Sequence, residues 1–410
     1  MVLKVFTVMK IVLLQSGNQG FFPRFYSDLT RTVEKNGDEL RLFVPNTGIN
    51  NRRKVPHQVI WGSRLNWHFH FYMYRLTGLQ DIWSFFSTID LIRKIRKYSP
   101  DVINFHVVND CNLCIPLLVR YINNHNIPVV WTFHDVRAIT GRCAYFDEVG
   151  CYKWKTGCYD CPTNNNWLTP SLVDNTRLEW KIRKKWFTII SNLTIVTPSE
   201  WLACYVRESY FKDHPILVIN NGIDTSEFAK EQTNISSQIL NNGKKIILGV
   251  ASVWNKSKGI DTMEWLGEHL GDDYQVVVVG NIENELKKKA LHLLCLPPTN
   301  IKSELIAIYQ KADVFVNPTM EDNFPTVNIE ALASGIPVIT YKTGGSAECL
   351  DSKCGIAVEK GNRKALLEAV IYLCSHFEAY SRENCIERSK CFSLSQFDKY
   401  VELYHCVSNK

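Results

Sequence analysis

The chain alternates short apolar runs with segments whose apolar residues recur every three or four positions. The runs predict buried strands, and the amphipathic segments at 84–99, 303–312 and 363–377 predict helices that cover a sheet. This strand and helix rhythm is typical of parallel sheets, and it occurs twice along the chain. The predicted strands lie at 11–14, 40–44, 102–106, 129–133 and 193–196 in the first half, and at 245–250, 274–279, 314–316 and 337–340 in the second.

A stretch rich in Asn, Ser, Thr and Gly separates the two halves. We therefore expect a first domain at 1–225, a linker at 226–244 and a second domain at 245–385, and the helical segment at 386–410 is a candidate to pack back on the first domain. The predicted fold class is α/β, with two Rossmann-like doubly wound parallel sheets that face each other across a cleft. Ligands of such sheets bind beyond the carboxyl ends of the strands.

Composition narrows the class of protein. With 410 residues, 45% of them hydrophobic, the chain can form two cored domains. A formal charge of +6, from 47 basic and 41 acidic residues, is too small for a nucleic-acid binder. The sequence has no apolar run long enough to span a membrane, and fourteen cysteines without secretory features favour reduced thiols. We expect a cytoplasmic protein.

The segment 321–345 contains the clearest candidate site. Pro325 is suited to the first position of a helix that a glycine, Gly335, would end. The amide N–H groups of Thr326 and Val327 would then be unpaired at the positive end of the helix dipole. The pattern predicts a binding site for a diphosphate that needs no basic side chain.

Acidic and glycine residues surround this helix start. Glu330 lies about one turn after Thr326, where a carboxylate could accept two ribose hydroxyls, and Asp322 precedes the helix. Gly344 and Gly345 allow close backbone approach, and we expect Ser346 to cap a second helix. The alternative is that the acids only complement the helix dipole or face solvent.

These motifs resemble those of family 4 glycosyltransferases of the GT-B type, in the subset that builds bacterial surface polysaccharides. The Glu-x7-Glu signature of that family stands here as Asp322 to Glu330. The resemblance implies a retaining transferase whose donor is a nucleotide diphosphate sugar and whose acceptor is a saccharide or a lipid-linked saccharide. It implies that Glu330 binds the donor ribose and Asp322 the donor sugar, although Glu321 is an alternative for the second role. By the same resemblance, sugar and phosphate contact the backbone of Asn323, Phe324, Pro325, Thr326 and Val327.

The segment 250–263 resembles the family's phosphate-binding loop, which ends in Lys-Gly. Lys258, before Gly259, is therefore the candidate phosphate lysine and a candidate catalytic residue. The family's earlier arginine is missing, and Lys256 is the candidate replacement, although a lysine cannot reproduce a bidentate guanidinium contact. The resemblance implies that catalysis requires no metal cofactor.

In the first half, His134 and Asp135 follow the predicted strand 129–133. A histidine at this position can bond a sugar hydroxyl or carry a proton, with Asp135 fixing its tautomer. The resemblance implies that His134 contacts the donor sugar, and His106 occupies the same kind of position one strand earlier. Gly17, in the loop after the first strand, is a weaker candidate contact.

Four cysteines lie in a candidate insertion at 141–162, namely Cys143, Cys151, Cys158 and Cys161. The short spacing of the last two suits a structural zinc ion held by four thiolates. Reduced thiols and disulfides are the alternatives, and all three stay open at this stage.

Two basic amphipathic segments, 90–99 and 177–190, are candidates for peripheral contact with an anionic membrane. The ordinary alternative is an exposed helix whose apolar face is buried. For the whole protein, the alternatives to a glycosyltransferase are a nucleotide-sugar epimerase or phosphorylase of the same fold, or a non-catalytic sugar-binding or assembly protein.

Overall fold

The computed structural model describes residues 8–17, 20–52, 54–108, 111–147, 149–163, 170–231, 243–299 and 301–409. The chain divides into two compact units, the first comprising Met1–Ile219 with Phe397–Lys410 and the second Asn220–Gln396. Most of the predicted linker, 232–242, lies outside the described residues.

In its described residues, the first unit forms a seven-stranded sheet in which each strand pairs in parallel with its neighbours. The strand order is β3-β2-β1-β4-β5-β6-β7. The strands are β1 Lys10–Leu14, β2 Glu39–Pro45, β3 Gln58–Trp61, β4 Val102–Phe105, β5 Val129–Thr132, β6 Leu193–Thr197 and β7 Ile216–Val218. The helices are α1 Phe22–Lys35, α2 Gly48–Arg52, α3 Arg64–Thr77, α4 Phe85–Tyr98, α5 Ile115–Asn124, α6 Thr176–Phe187 and α7 Glu200–Glu208.

The second unit forms a six-stranded parallel sheet in the order β10-β9-β8-β11-β12-β13. Its strands are β8 Lys245–Trp254, β9 Tyr274–Ile282, β10 Leu294–Leu296, β11 Val314–Asn317, β12 Val338–Tyr341 and β13 Gly355–Val358. The remaining helices are α8 Thr225–Ala229, α9 Ile260–His269, α10 Asn284–Lys287, α11 Lys302–Lys311, α12 Thr326–Ala333, α13 Arg363–Ser375, α14 Arg382–Ser389 and α15 Ser395–Ser408.

The prediction of an α/β fold with two Rossmann-like parallel sheets is confirmed, and each of the nine predicted strands is present. The four strands that the sequence did not reveal, β3, β7, β10 and β13, lie at the edges of the two sheets. Their residues are mostly half-exposed, whereas most residues of the inner strands are buried. These four strands are only three or four residues long, so their short apolar runs did not stand out from those of loops and helices.

The two basic segments that we considered for membrane contact, 90–99 and 177–190, bury their apolar faces. On α4, Leu91 and Ile95 are fully buried, and on α6 Phe187 is fully buried. Arg183 of α6 is itself in the core, with its Nε 2.8 Å from an oxygen of Asp81. These helices match the ordinary alternative. No helix in the described part of the chain is long and apolar enough to cross a membrane.

Candidate functional site

Three loops of the second unit, after β8, β11 and β12, are joined to one another by backbone contacts. The N–H of Met320 donates to the carbonyl of Ser257 over 2.8 Å, which joins the first two loops. Gly259 has a φ of +78°, and a Cβ there would lie 2.3 Å from the carbonyl oxygen of Pro318. Only glycine meets both requirements, so the Lys-Gly pair fixes the approach of the two loops.

Lys258 and Asp322 form an ion pair in this cluster. The Lys258 Nζ lies 2.6 Å from an oxygen of Asp322, and both side chains stay partly exposed, at 38% and 21%. Because the pair is accessible, an anionic ligand could compete with the carboxylate for the ammonium group. The side chain of Lys256 is exposed, and its carbonyl accepts the N–H of Gly259.

The loop after β12 packs directly on the backbone of Asp322. Gly344 has a φ of +55°, and a Cβ there would lie 1.7 Å from the Asp322 carbonyl oxygen. The N–H of Gly345 donates to the carbonyl of Asn323 over 2.9 Å. The expectation that Ser346 caps a second helix is wrong, because 344–349 form successive turns.

The helix α12 begins at Thr326. Pro325 is its N-cap residue, whereas the sequence analysis placed Pro325 at the first helical position. The N–H groups of Thr326 and Val327 have no acceptor within the helix, since an intrahelical bond needs a residue four positions earlier. Asp322 lies four residues before Thr326, and its ion pair with Lys258 brings that lysine towards the positive end of the helix dipole. This arrangement can bind phosphate oxygens.

A buried amide network that the sequence analysis missed holds this helix in place. Asn317 Nδ2 donates to Asn328 Oδ1 over 2.8 Å, and Asn328 Nδ2 donates to the carbonyl of Ser346 over 3.0 Å. Asn328 is fully buried within an apolar helix, which is the sequence signal that could have revealed it. The network ties β11, α12 and the loop after β12 together.

Glu330 lies one turn into α12 and is 9% exposed. The hydroxyl of Tyr309, another residue that sequence reasoning missed, donates to Glu330 Oε2 over 3.2 Å. This bond orients the carboxylate, and such an oriented group can accept the two hydroxyls of a ribose.

In the first unit, two histidines meet at the ends of β4 and β5. His106 Nδ1 lies 2.6 Å from His134 Nε2, and His106 Nε2 lies 2.9 Å from Asn104 Oδ1. The hydroxyl of Tyr404, on α15, donates to the same Asn104 oxygen over 2.8 Å. Asn104 Nδ2 donates to the carbonyl of Val130 over 2.9 Å, which fixes the orientation of the amide.

These contacts determine the tautomers of both rings. Burial lowers the pKa of His134 to about 4, and burial together with the neighbouring ring lowers the pKa of His106 well below its usual 6.5. Both rings are therefore neutral at pH 7. Since Asn104 Oδ1 can only accept, His106 donates from Nε2 and accepts at Nδ1, so His134 donates from Nε2 and its Nδ1 carries a lone pair.

A neutral His134 can accept a hydrogen bond from a sugar hydroxyl at Nδ1, but it does not act as a general acid at neutral pH. Asp135 does not set its tautomer as we expected. Its two oxygens contact Arg137 instead, one at 3.0 Å from Nε and one accepting the backbone N–H over 2.8 Å. Gly17 lies in a loop where a Cβ would meet nothing within 4 Å, so no close approach requires glycine there.

The four cysteines of the insertion line one small cavity of about 20 Å³. Burial, with the neighbouring thiols, raises the pKa of Cys143 to about 12 and that of Cys158 to about 11, which favours the protonated form. None of the fourteen cysteines forms a disulfide. Among the described residues, no group of three or more His, Cys, Asp or Glu side chains is placed to hold a metal ion, so the zinc hypothesis is unsupported.

Two Rossmann-like units, each built on a parallel sheet, place the chain among proteins of the GT-B fold, and comparison with known proteins specifies the family. Residues 24–227 match the family described as "Glycosyltransferase Family 4", and residues 231–391 match "Glycosyl transferases group 1". The chain belongs to the family 4 glycosyltransferases.

Named relatives include "Putative colanic acid biosynthesis glycosyl transferase WcaC" of Escherichia coli, which is 28% identical over 66% of this chain and 67% of its own length. The capsular polysaccharide biosynthesis glycosyltransferase CapM of Staphylococcus aureus is 27% identical over 40% of this chain and 47% of its own. A Campylobacter jejuni N-acetylgalactosaminyltransferase named for a diphospho-undecaprenol acceptor is 26% identical over 41% of this chain and 48% of its own.

Solved structures confirm the fold. A glycosyltransferase from Rickettsia africae superimposes with a TM-score of 0.68 at 16% identity, covering 98% of this chain and 99% of its own. HepE of Anabaena, solved in complex with UDP, has a TM-score of 0.67 at 15% identity and covers 96% of this chain and 98% of its own.

Proposed function

We propose that this chain transfers a sugar from a nucleotide diphosphate donor to a saccharide acceptor, with retention at the anomeric carbon, in the synthesis of a surface polysaccharide. The observation that carries the proposal is the ion pair of Lys258 and Asp322 beside the start of α12, with Glu330 one turn further on. In this reading the amides of Thr326 and Val327 and the Lys258 ammonium bind the diphosphate. Glu330 binds the ribose, and Asp322 binds the donor sugar.

The chemistry requires stabilisation of a leaving diphosphate and correct positioning of the acceptor hydroxyl. Preorganised amides and a lysine stabilise the leaving diphosphate electrostatically, without covalent catalysis. His134 contributes a hydrogen-bond acceptor for a sugar hydroxyl and holds the sugar rather than transferring its proton. Asp322, whose backbone carbonyl lies against Gly344 and whose carboxylate pairs with Lys258, is the acid that we assign to the donor sugar in preference to Glu321.

We propose that the acceptor is lipid-linked, and the relative named for a diphospho-undecaprenol acceptor supports this. Helix α3 supports peripheral membrane contact. Its exposed apolar residues, Leu65, Phe69, Tyr72 and Leu76, recur at helical spacing along one face and are between 37% and 84% exposed. The helix contains arginine and histidine but no acidic residue, which favours anionic lipid headgroups.

The membrane proposal is tested by flotation with vesicles of phosphatidylglycerol or phosphatidylcholine. We expect binding to the anionic vesicles alone, and we expect Phe69→Glu to abolish it. Equal recovery from both vesicles would remove this part of the proposal without affecting the proposed transfer.

Transfer is tested by a thermal-shift and nucleotide-release screen with UDP-, GDP- and ADP-sugars, with and without cell-envelope lipid extract. UDP-sugars are tested first because HepE was solved with UDP and with UDP-glucose. We expect one donor to stabilise the protein and to release nucleotide only when extract is present, and proton NMR of the product to show retained anomeric configuration. Donor turnover without acceptor, with inversion at one sugar carbon, would indicate an epimerase instead. Binding without turnover would indicate a non-catalytic sugar-binding protein.

A further inference from the structure

The first unit contains a cavity of about 520 Å³ that the proposed donor chemistry does not use. It is lined by segments that follow the carboxyl ends of β1, β2, β4 and β5, and by helix α3, which follows β3. Ligands of parallel sheets bind at this end. The cavity lies within one unit, so its shape depends on that unit alone.

One wall of the cavity is aromatic. Trp67, Phe71 and Tyr74 lie on one face of α3 at helical spacing, opposite the exposed apolar face described above. The rings of Trp67 and Phe71 are stacked, with centroids 5.9 Å apart and planes 22° from parallel. A row of flat apolar surfaces of this kind packs against the C–H face of a sugar ring.

The charged lining residues are arginines. Arg64, Arg137 and Arg142 line the cavity, and no aspartate or glutamate does so among the described residues. Arg142 is 3% exposed, with its guanidinium 5.4 Å from the Tyr74 ring and its Nη1 bonded to Ser171 Oγ over 3.0 Å. Asp135 offsets the charge of Arg137, whereas no described acidic side chain forms an ion pair with Arg64. Asp174 interacts electrostatically with Arg142 and offsets its charge, so Arg64 supplies the net positive charge of the cavity.

The cavity also has a polar atom that needs a partner. Asn112 lines it and is 5% exposed, and its Oδ1 has no hydrogen-bond partner among the described residues. A buried amide oxygen without a partner costs about 1–3 kcal/mol, so a ligand hydroxyl that donates to it would be favoured. The aromatic residues, the Asn112 oxygen and the arginines of the cavity thus favour a ligand with a flat apolar face, a hydroxyl donor and a negative charge.

We propose that this cavity binds an anionic saccharide, a sugar that carries a phosphate or a carboxylate, with the ring against Trp67, a hydroxyl on Asn112 Oδ1 and the negative group at Arg64 and Arg142. The inference rests on the proposed function and deepens it, because it assigns the cavity as the acceptor site and names the acceptor class. A neutral saccharide would leave the arginines without a counter-charge from the ligand.

The test is calorimetric titration of the full chain with glucose 1-phosphate, methyl glucuronide, methyl glucoside and inorganic phosphate. We expect at least one of the two charged sugars to bind at least tenfold more tightly than methyl glucoside and than phosphate, and the stronger of the two identifies the charged group. Affinity for the charged sugar should fall at least tenfold in Arg64→Gln and in Trp67→Leu.

Arg75→Gln is the matched control, because Arg75 is exposed on the same helix but does not line the cavity. It should bind like the unchanged chain. Equal affinity for charged and neutral sugars, equal affinity for phosphate and sugar phosphate, or equal losses in Arg64→Gln and Arg75→Gln would each overturn the proposal.

The outcome is separable from that of the donor screen. If a nucleotide sugar is turned over while no charged sugar binds here, the acceptor assignment fails and the proposed transfer stands. If a charged sugar binds while no nucleotide sugar does, the proposed transfer fails, and the cavity is still a site for anionic saccharides.

Discussion

Replacing Gly344 with alanine is a sharp test of whether the loop after β12 positions Asp322. The new Cβ would lie 1.7 Å from the Asp322 carbonyl oxygen, and real Cβ contacts essentially never fall below 3.0 Å. The two backbones would therefore have to separate by about 1.3 Å, which would break the 2.9 Å hydrogen bond from Gly345 to Asn323.

Two energetic costs add in this variant. An alanine in the left-handed region costs about 1–2 kcal/mol, and the lost hydrogen bond adds about 1 kcal/mol. The displacement matters more for activity, because moving a reacting group by about 1 Å can reduce a rate about 100-fold. We expect Gly344→Ala to lower the free energy of unfolding by about 2–3 kcal/mol and turnover by about 100-fold.

Gly361→Ala is the matched control for backbone strain. Gly361 has a φ of +77°, but a Cβ there would meet nothing within 4 Å. Gly361→Ala should lower the free energy of unfolding by roughly 1–2 kcal/mol, the conformational cost alone, and leave turnover unchanged. Urea unfolding and nucleotide release of both variants give the comparison. If Gly344→Ala lost no more activity than Gly361→Ala, the loop would not position Asp322 and the reasoning would be refuted.

Three further substitutions, with Lys256→Met as the control for the first, test the site. Lys258→Met should reduce nucleotide release about 100-fold, and it should change the free energy of unfolding by less than about 1 kcal/mol because the ion pair of Lys258 with Asp322 is partly exposed. Lys256→Met should reduce nucleotide release much less. Equal reductions in the two variants would contradict the assignment of Lys258 as the phosphate lysine. Glu330→Gln should weaken donor binding in titration with little change in the melting curve, and a large loss of stability with normal binding would make the residue structural. Burial lowers the pKa of His134 to about 4, so the unfolded chain binds a proton at this residue as the pH falls through 6.5 and the folded chain does not. The free energy of unfolding should therefore decrease between pH 6.5 and pH 4, by about 3 kcal/mol for this residue. Denaturant titration across that window should show a shallower fall in His134→Asn, and an unchanged slope would count against a neutral ring.

Sequence reasoning recovered the inner strands and the start of α12 because both depend on local patterns. A buried strand needs a continuous apolar run, and a helix start before Thr326 needs the proline and the later glycine. The same reasoning missed the four edge strands, whose apolar runs are too short, at three or four mostly half-exposed residues, to be told from loop or helix segments. It also predicted a helix after Gly345, where contacts with Asn323 favour turns instead.

Pairing between distant residues was not predictable in the same way. Lys258 and Asp322 were each identified from their own motifs, but their contact depends on the bend at Gly259 and on the sheet order. The tautomer of His134 depends on His106 and Asn104, which lie at the end of another strand and meet it only through the fold. No local pattern around His134 contains that information, which is why Asp135, its neighbour in sequence, was the wrong partner.

The protonation state of His134 restricts the kind of catalysis that this chain can perform. A ring with a pKa of about 4 is neutral at pH 7 and can hold a hydroxyl but cannot act as a general acid there. The second unit offers a lysine and helix-start amides, which stabilise charge without transferring a proton. These groups suit the electrostatic stabilisation of the leaving diphosphate in the transfer that we propose. In the proposed transfer, the proton of the acceptor hydroxyl would therefore go to the departing phosphate oxygen, which gains negative charge as its bond to the sugar breaks, rather than to His134, whose pKa of about 4 makes its ring a weak base.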